Sequence, residues 1–372
     1  MKNIGLYLHI PFCKSKCPYC DFYSFSGKDT EKDQYTSVLR EKISSSISTL
    51  QSDNSCKANT LYIGGGTPSV LGSKNLAKLV NACNSGFLTD GAEITVECNP
   101  HGLDEAFFKT LHKCGVNRIS LGLQSAVDSE RRILGRLSDR NQVENAVKMA
   151  QKVGFENITL DVMLGVPNQN EKSLNETLDF CISLGVPHIS AYMLKLEENT
   201  HFYKNQHKYD FPDDDLTADL YLQMCEKLEK NGIMQYEISN FAKSGFESRH
   251  NLKYWHCEEY LGLGPSAHSF LDGKRFYYDR DFESFMNGNS PTPDGFGGDF
   301  TEYAMLNLRL VEGLNEDKVL NRFGHSIPNS LYENSKIFID NGYMTKSDNG
   351  IALTRKGFLM SNTILSEILQ FI

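Results

Sequence analysis

Three cysteines near the amino terminus have the residue type and the spacing for metal chemistry. Cys13, Cys17 and Cys20 form a CxxxCxxC run on one short stretch. Iron–sulfur clusters usually take four cysteine thiolates, so three thiols could hold three corners of an iron–sulfur cube and leave one iron free to bind substrate. A zinc knot is the alternative, with His9 close by, although structural zinc sites usually pair two C-x₂₋₄-C units.

The elements that must position these cysteines follow an alternation of strand and helix. Between the strands, apolar residues recur at helical spacing, as at Leu39, Ile43, Ile47 and Leu50. Repeated β–α units predict a parallel α/β sheet with right-handed crossovers, but the pattern alone does not choose between an open barrel and a doubly wound sheet. Short runs rich in β-branched and apolar residues predict strands at 4–10, 59–64, 92–98, 117–122, 156–163 and 187–194.

The last part of the chain has a different pattern. A helix is predicted from about 213 to 230, and Asn349-Gly350 is a strong hairpin turn signal. Three helices, a hairpin and a final helix together predict a small, mostly helical, winged-helix-like module. The helical patterns of this module lie at 300–311, 315–323, 328–341 and 355–371.

These patterns predict three regions. The main barrel-forming domain with its cysteine loop is expected at 1–240. A connection rich in glycine and aromatic residues, which we expect to be irregular and to contact haem, is assigned to 241–299. The helical, winged-helix-like domain is expected at 300–372.

Unusual residues fall at the carboxyl ends of the predicted strands, where parallel barrels and open α/β sheets place their working groups. The second strand ends in the run 64–69, GGGTPS, whose glycines let a ligand approach the backbone closely. A phosphate-binding loop is the alternative, but the helix-opening Gly-Lys-Ser/Thr is missing. The third strand ends at Glu97, the fourth at Gln124 and the fifth at Asp161. A carboxylate there needs a partner, so a binding role for Glu97 is weighed against a helix cap.

The cysteine motif and its position resemble the radical S-adenosylmethionine (SAM) superfamily. CxxxCxxC follows the first predicted strand, Tyr19 precedes the last cysteine, and GGGTP follows at the family's distance. The longer string YLHIPFC, residues 7–13, resembles the branch that contains the oxygen-independent coproporphyrinogen III dehydrogenases and the HemW-type haem chaperones. The resemblance implies an open (βα)₆ partial barrel, a [4Fe-4S] cluster on the three cysteines, and SAM bound at the remaining iron.

The resemblance also implies which residues contact SAM. The glycine run would line up the methionyl amine, Glu97 would bind the ribose or the amine, and Arg136 matches the family arginine. One branch binds a second SAM at positions that correspond to Gln124, Arg136 and Asp161, and the sequence does not show whether a second SAM binds here. The residues expected to contact SAM are Tyr7, Tyr19, Gly65, Gly66, Thr67, Glu97, Gln124, Arg136 and Asp161.

The residue type at position 22, phenylalanine in this chain, distinguishes the dehydrogenases from the chaperones of this branch. The dehydrogenases carry a fourth cysteine at this position and several helical turns ahead of the motif, where this chain has twelve residues. Both departures are those of the HemW-type proteins. The resemblance therefore favours a chaperone, without dehydrogenase activity, that delivers haem b to haem-requiring acceptor proteins such as respiratory enzymes. The alternative is decarboxylation of coproporphyrinogen III by a 5′-deoxyadenosyl radical.

The segment SRHNLKYW, residues 248–255, is the candidate haem contact. A haem needs an axial ligand such as histidine and an apolar, aromatic wall. His250, with Tyr254 and Trp255, offers both within a few residues. His250 is therefore the candidate ligand, and the alternative is that these residues pack the base of an irregular loop.

Composition argues against other classes of protein. The 372 residues carry a net charge of −9 and show no basic stripe that could track phosphates, which argues against nucleic acid. No apolar run approaches the roughly 20 residues of a membrane span, and no secretory signal opens the sequence. We therefore expect a cytoplasmic protein, with at most transient membrane association and a possible homodimer. The remaining seven cysteines are expected to be free thiols, most of them buried.

Overall fold

The computed structural model describes residues 2–52 and 56–370. Predicted bounds at residues 1, 371 and 372 lie outside the described residues. The strands, in chain order, are β1 (Lys2–Ile10), β2 (Cys56–Gly65), β3 (Leu88–Cys98), β4 (Arg118–Gln124), β5 (Asn157–Leu164), β6 (His188–Met193), β7 (Met234–Glu237), β8 (Asn240–Ala242), β9 (Tyr260–Leu263), β10 (His268–Leu271), β11 (Lys274–Tyr277), β12 (Thr292–Phe296), β13 (Leu314–Asn315), β14 (Met344–Ser347) and β15 (Gly350–Leu353).

The helices alternate with the first six strands and then dominate the carboxyl-terminal part. Two short 3₁₀ turns, Pro68–Leu71 and Gln206–Lys208, accompany them. The α-helices are α1 (Asp29–Leu50), α2 (Gly72–Asn84), α3 (Glu105–Lys113), α4 (Asp128–Ile133), α5 (Arg140–Val153), α6 (Glu171–Ser183), α7 (His201–Lys204), α8 (Asp214–Lys230), α9 (Arg249–Trp255), α10 (Phe282–Met286), α11 (Phe300–Asn307), α12 (Glu316–Phe323), α13 (Asn329–Asp340), α14 (Arg355–Leu359) and α15 (Ser361–Ile368).

The first six strands form the expected parallel barrel sheet, in sequential order. Its β6 edge continues through β8 and β7, and its β1 edge continues through β9 to β12, giving twelve strands in order β12-β11-β10-β9-β1-β2-β3-β4-β5-β6-β8-β7. The predicted α/β class and the (βα)₆ partial barrel are therefore confirmed.

Alternation along the strands separates the core from the interior of the barrel. Leu6 and Leu8 of β1 pack into the fully buried apolar core beneath the helices, to which α1 contributes Leu39 and Ile43. The intervening residues, such as Tyr7, face the other side of the sheet, because successive side chains of a strand point to opposite faces. On β2 to β6 these inward positions are largely polar, so the interior of the barrel can receive a polar ligand.

Residues 241–299 are more regular than expected. They supply helix α9 and the strands β9 to β12, where we expected an irregular connection. Strands of four or five residues, broken by glycine and proline, are too short to give a clear periodic signal. The division of the chain into three domains stays a prediction.

The small carboxyl-terminal domain has the expected helices and hairpin, with a sheet in the order β13-β15-β14. The prediction of one final helix was wrong within the described residues, because the chain turns at Met360 between α14 and α15. This turn lets Phe358 of α14 and Ile364 and Ile368 of α15 all reach the core. Across residues 2–52 and 56–370, no helix combines the length and apolar character needed to cross a membrane.

Candidate functional site

The cysteine loop between β1 and α1 is fastened to the end of β2. Gly66 donates a backbone hydrogen bond to the Ile10 carbonyl (2.8 Å), and Thr67 donates one to the Phe12 carbonyl (2.8 Å). A Cβ at Gly66 would lie 2.7 Å from the Phe12 oxygen, so glycine is needed for this close approach. The Thr67 hydroxyl lies 3.4 Å from Cys13 Sγ. Two motifs that are about fifty residues apart in sequence therefore form one site.

The three motif cysteines fit a cluster better than a single metal ion. All are free and half-buried on the same loop. Among the described residues, no three His, Cys, Asp or Glu side chains converge closely enough to hold one ion. In a [4Fe-4S] cluster the thiolates bind different irons, so such convergence is not required. His9 gives no support to the zinc alternative, because its ring nitrogens contact the Tyr7 hydroxyl (3.1 Å) and the Tyr23 carbonyl (3.0 Å).

Arg136 and Gln124 border the cysteine loop with unsatisfied polar atoms. Arg136 Nη2 donates to the Gly122 carbonyl (3.0 Å), and Nη1 approaches Cys17 Sγ (3.8 Å). Arg136 Nε and Gln124 Oε1 are buried without a hydrogen-bond partner among the described residues. Gln124 also adopts a positive φ of 64°. Because buried polar atoms are normally paired, these groups indicate space for a polar ligand. Tyr19 lies beside them, and burial raises its pKa.

Glu97 lies inside the barrel with two donors already in place. Its Oε1 accepts from the Tyr62 hydroxyl (2.7 Å), and its Oε2 accepts from the Gly65 backbone N–H (3.2 Å). Burial raises the pKa of Glu97 to about 7, and these two hydrogen bonds oppose that rise. A carboxylate has about four acceptor positions, so Glu97 retains capacity for a cationic or hydroxyl-bearing ligand.

Asp161 is a second carboxylate in the barrel, on β5. It accepts from the Ser120 hydroxyl at 3.0 and 3.2 Å and lies opposite Ser190 on β6. Burial raises the pKa of Asp161 to about 6, while hydrogen bonds from the two serines and the charge of Arg136 act in the opposite direction.

His250 lies deeper in the barrel than the cysteine loop, beside the middle of β2. Its Nδ1 is 2.8 Å from Thr60 Oγ1, and its Nε2 is 2.8 Å from the Tyr254 hydroxyl. Burial lowers the pKa of His250 to about 3. In this conformation neither ring nitrogen is open to a metal, so the arrangement does not fit axial ligation of haem by His250. The structure brings the cysteine loop, the glycine run, Gln124 and Arg136 together, whereas His250 lies deeper in the barrel and is in ring contact with Tyr7.

Several inward-facing residues escaped the sequence analysis. Each directly follows a buried apolar residue of its strand and points to the opposite face of the sheet, so strict two-residue alternation could have found them. Their signal was masked because tyrosine and serine are common in ordinary strands and loops. They are Tyr62, Ser120, Ser190 and the half-exposed Tyr192.

The fold and the cysteine site define the class of the protein. The sequence matches the Radical SAM superfamily over residues 7–181 and the HemN C-terminal domain over residues 300–360. In fold it resembles coproporphyrinogen III oxidase (HemN) from Escherichia coli, a radical SAM enzyme, with a TM-score of 0.83 and 20% identity over 100% of this chain and 91% of that one. This is a radical SAM protein.

Curated relatives identify the family of this chain within the radical SAM superfamily. The chain is 33% identical to the haem chaperone HemW of Bacillus subtilis over 98% of both chains. It is 34% identical to HemW of Lactococcus lactis, over 99% of this chain and 98% of the relative, and 32% identical to HemW of E. coli over 98% of both. The chain belongs to the HemW family.

Proposed function

We propose that this protein is a haem chaperone, which binds haem b and delivers it to haem-requiring acceptor proteins such as respiratory enzymes. The observation that carries the proposal is similarity to HemW haem chaperones at 32–34% identity across essentially the whole chain. The likeness to the oxidase is at 20% identity and concerns the fold. Phe22 stands where the dehydrogenases carry a fourth cysteine, and this residue of the cysteine loop is 66% exposed.

We assign the cluster to the thiolates of Cys13, Cys17 and Cys20. When bound, the [4Fe-4S] cluster and SAM supply one-electron chemistry. The chain's own part is to orient SAM and to limit the access of water. Arg136, a buried cation near Cys17, offsets negative charge on the thiolates.

We assign SAM to the mouth of the barrel. Gly65 and Gly66 allow close approach to the backbone, Thr67 lies beside Cys13, and Glu97 offers a negative charge to the methionyl amine. The unpaired polar atoms of Gln124 and Arg136 support a polar ligand at the same mouth. Tyr7, Tyr19 and Asp161 complete the proposed set.

Haem ligation by His250 stays a prediction. Binding a metal there would require the ring to give up its contact with Thr60 or with Tyr254. Cytoplasmic location, a homodimer and transient membrane contact also stay predictions. No disulfide joins any of the ten cysteines, all of which lie within the described residues.

A haem titration followed by a transfer assay tests the chaperone role. We expect the purified, cluster-reconstituted protein to bind haem near stoichiometrically, as followed by its absorbance, and to pass it to an apo-haem protein. Failure to bind haem would contradict the proposal.

A second assay tests the alternative activity. The same preparation is incubated anaerobically with SAM, a reductant and coproporphyrinogen III, and mass spectrometry follows the porphyrin products. We expect no decarboxylation. Loss of carbon dioxide from the porphyrinogen would identify a dehydrogenase and overturn the chaperone assignment.

A further inference from the structure

A stack of rings connects helix α9 with Glu97. The Tyr62 hydroxyl holds Glu97, and the His250 ring lies against the Tyr62 ring, with centroids 5.2 Å apart and planes at 27°. Tyr7 lies beside both, with its centroid 6.2 Å from Tyr62 and 6.5 Å from His250. We call Tyr7, Tyr62 and His250 the floor stack.

Backbone hydrogen bonds fix helix α9 to β3 of the barrel. Glu93 of β3 accepts hydrogen bonds from the backbone N–H groups of Arg249 (3.0 Å) and His250 (2.9 Å). The His250 side chain is then held on both sides, by Thr60 and by Tyr254. A Cβ on Gly5 would lie 3.2 Å from the His250 ring, so the neighbouring strand leaves little room for the ring to move.

We propose that Tyr62 and His250 are positioning residues for the SAM site. Tyr62 orients the Glu97 carboxylate through its hydroxyl, and the His250 ring packs against the Tyr62 ring and supports it inside the barrel. The inference rests on the proposed role of Glu97 in binding SAM. It gives His250 and helix α9 a part in the architecture of the SAM site, and haem ligation by His250 stays a separate prediction.

The hydrogen bonds to Glu97 from Tyr62 and Gly65 explain how orientation of its carboxylate would strengthen SAM binding. Tyr62 occupies one carboxylate oxygen and Gly65 the other, so both oxygens have a defined orientation before a ligand arrives. A pre-oriented acceptor loses less freedom on binding than a mobile one. The hydrogen bond from Tyr62 also favours the ionised carboxylate, which is the form that attracts an ammonium group.

The groups around Glu97 determine how its affinity for SAM changes with pH. Hydrogen bonds from Tyr62 and Gly65 lower its pKa, whereas burial and the charge of Asp161 raise it. Removing the Tyr62 hydroxyl therefore raises the pKa of Glu97 further. The titratable groups that interact with Glu97 are Tyr7 of β1, Tyr62 of β2, Cys98 of β3, Asp161 of β5, Tyr192 of β6 and Tyr254 of α9.

The first test is the isosteric variant Tyr62→Phe. Equilibrium dialysis measures the Kd for SAM of the full, cluster-reconstituted chain between about pH 6 and pH 9, a range that brackets the raised pKa of Glu97. We expect affinity to fall about tenfold near neutral pH, as for loss of a hydrogen bond to a charged group, and the pH at which binding weakens to move upward. Tyr221→Phe is the matched control, since it removes another buried hydroxyl with two hydrogen bonds.

The second test separates support of Tyr62 from ligation of haem. His250→Ala removes the ring, whereas His250→Phe retains a ring beneath Tyr62 and removes both nitrogens. We expect the alanine variant to weaken SAM binding several-fold and the phenylalanine variant to retain most of the affinity. Haem titration of the same two variants tests the other role of His250. If His250 were an axial haem ligand, the alanine and phenylalanine variants would lose haem binding equally. Iron content and the thermal midpoint confirm that each variant is folded and loaded.

The outcomes separate the positioning role of Tyr62 and His250 from the proposed SAM site on which it rests. If the wild-type protein binds SAM, and Tyr62→Phe and His250→Ala bind it with the same affinity and pH profile, the positioning role is overturned while the SAM site stands. If the wild-type protein with an intact cluster binds no SAM, the proposed SAM site fails and this inference fails with it.

Discussion

Arg136 joins the end of β4 to the cysteine loop. Its Nη1 lies 3.8 Å from Cys17 Sγ, and its Nη2 donates to the Gly122 carbonyl at 3.0 Å. A guanidinium cannot be deprotonated in a protein, so this contact holds a permanent positive charge next to a thiol. Such a charge offsets the negative charge that a thiolate carries when it binds iron.

Arg136→Met should therefore weaken the cluster. A hydrogen bond to a charged group contributes about 1.5–3 kcal/mol, so we expect the chelator concentration that removes half of the cluster to fall about tenfold. Cluster absorbance during chelator titration measures this. Arg140→Met is the control, because Arg140 pairs with Glu176 at the exposed surface. Equal chelator sensitivity of the two variants would contradict a role for Arg136 at the cluster.

Each of Cys13, Cys17 and Cys20 should be essential for the cluster and dispensable for the fold. We expect each alanine variant to lose the cluster after anaerobic reconstitution, as judged by iron and sulfide content, and to keep a wild-type far-ultraviolet spectrum. Cys114→Ala is the control, since Cys114 is also a half-buried free thiol but lies at the end of α3. A full cluster in any of the three motif variants would exclude that cysteine as a ligand.

Gly66→Ala should disconnect the cysteine loop from β2. The added Cβ would lie 2.7 Å from the Phe12 oxygen and 3.0 Å from the Ile10 oxygen, so the backbone must shift. We expect a loss of stability of about 1–3 kcal/mol, typical of overpacking, together with loss of SAM binding. Urea unfolding and equilibrium dialysis measure the two effects.

Gly185→Ala provides the comparison for that variant. Gly185 has a φ of 68° and open space around its Cβ position, so alanine there meets backbone strain alone. We expect it to cost about 1–2 kcal/mol of stability and to leave SAM binding intact. Normal SAM binding by Gly66→Ala would show that close packing at this position is unimportant for the site.

Glu97 should make the stability of the protein depend on pH. Its pKa is near 4.5 in the unfolded chain and about 7 in the folded protein. The folded protein therefore binds the proton more tightly, and the contribution of Glu97 to the free energy of unfolding falls as pH rises from about 4.5 through about 7. Glu97→Gln cannot titrate, so wild-type stability should fall relative to this variant across that interval. Urea unfolding curves without added SAM test this, and parallel pH profiles would contradict it.

Local spacing was sufficient to find the cysteine and glycine motifs, while the preference for a cluster over zinc also drew on the family resemblance. Cys13, Cys17 and Cys20 fall within eight residues, and the glycine run 64–69 is continuous, so both motifs are visible in the local sequence. The close approach of Gly66 to Phe12 appears only in the folded chain. The barrel strands were also predictable, because their apolar cores and polar turns follow short-range patterns. The amino-terminal ends of the strands were predicted less accurately: β2 begins at Cys56 and β3 at Leu88, ahead of the predicted 59 and 92. Pairing with neighbouring strands extends a strand into residues of weak strand propensity.

The surroundings of His250 could not be predicted in the same way. Its contact with Thr60 joins residues 190 positions apart, and its helix is held by Glu93, 157 positions away. A histidine among aromatic residues has the same local pattern whether it binds a haem or packs beneath a barrel. The burial and the long-range hydrogen bonds of His250 appear only when the chain folds.

The sequence by itself determined the chemistry that the site can hold: three thiols, a glycine run and carboxylates at strand ends, whose types and spacing depend on neighbouring residues. Only the tertiary structure decided how those groups are supported. The Tyr62 hydroxyl meets Glu97 because β2 and β3 pair in one register, and His250 meets Tyr62 because α9 enters the barrel from below. Such contacts depend on packing between distant segments, which a local pattern cannot specify.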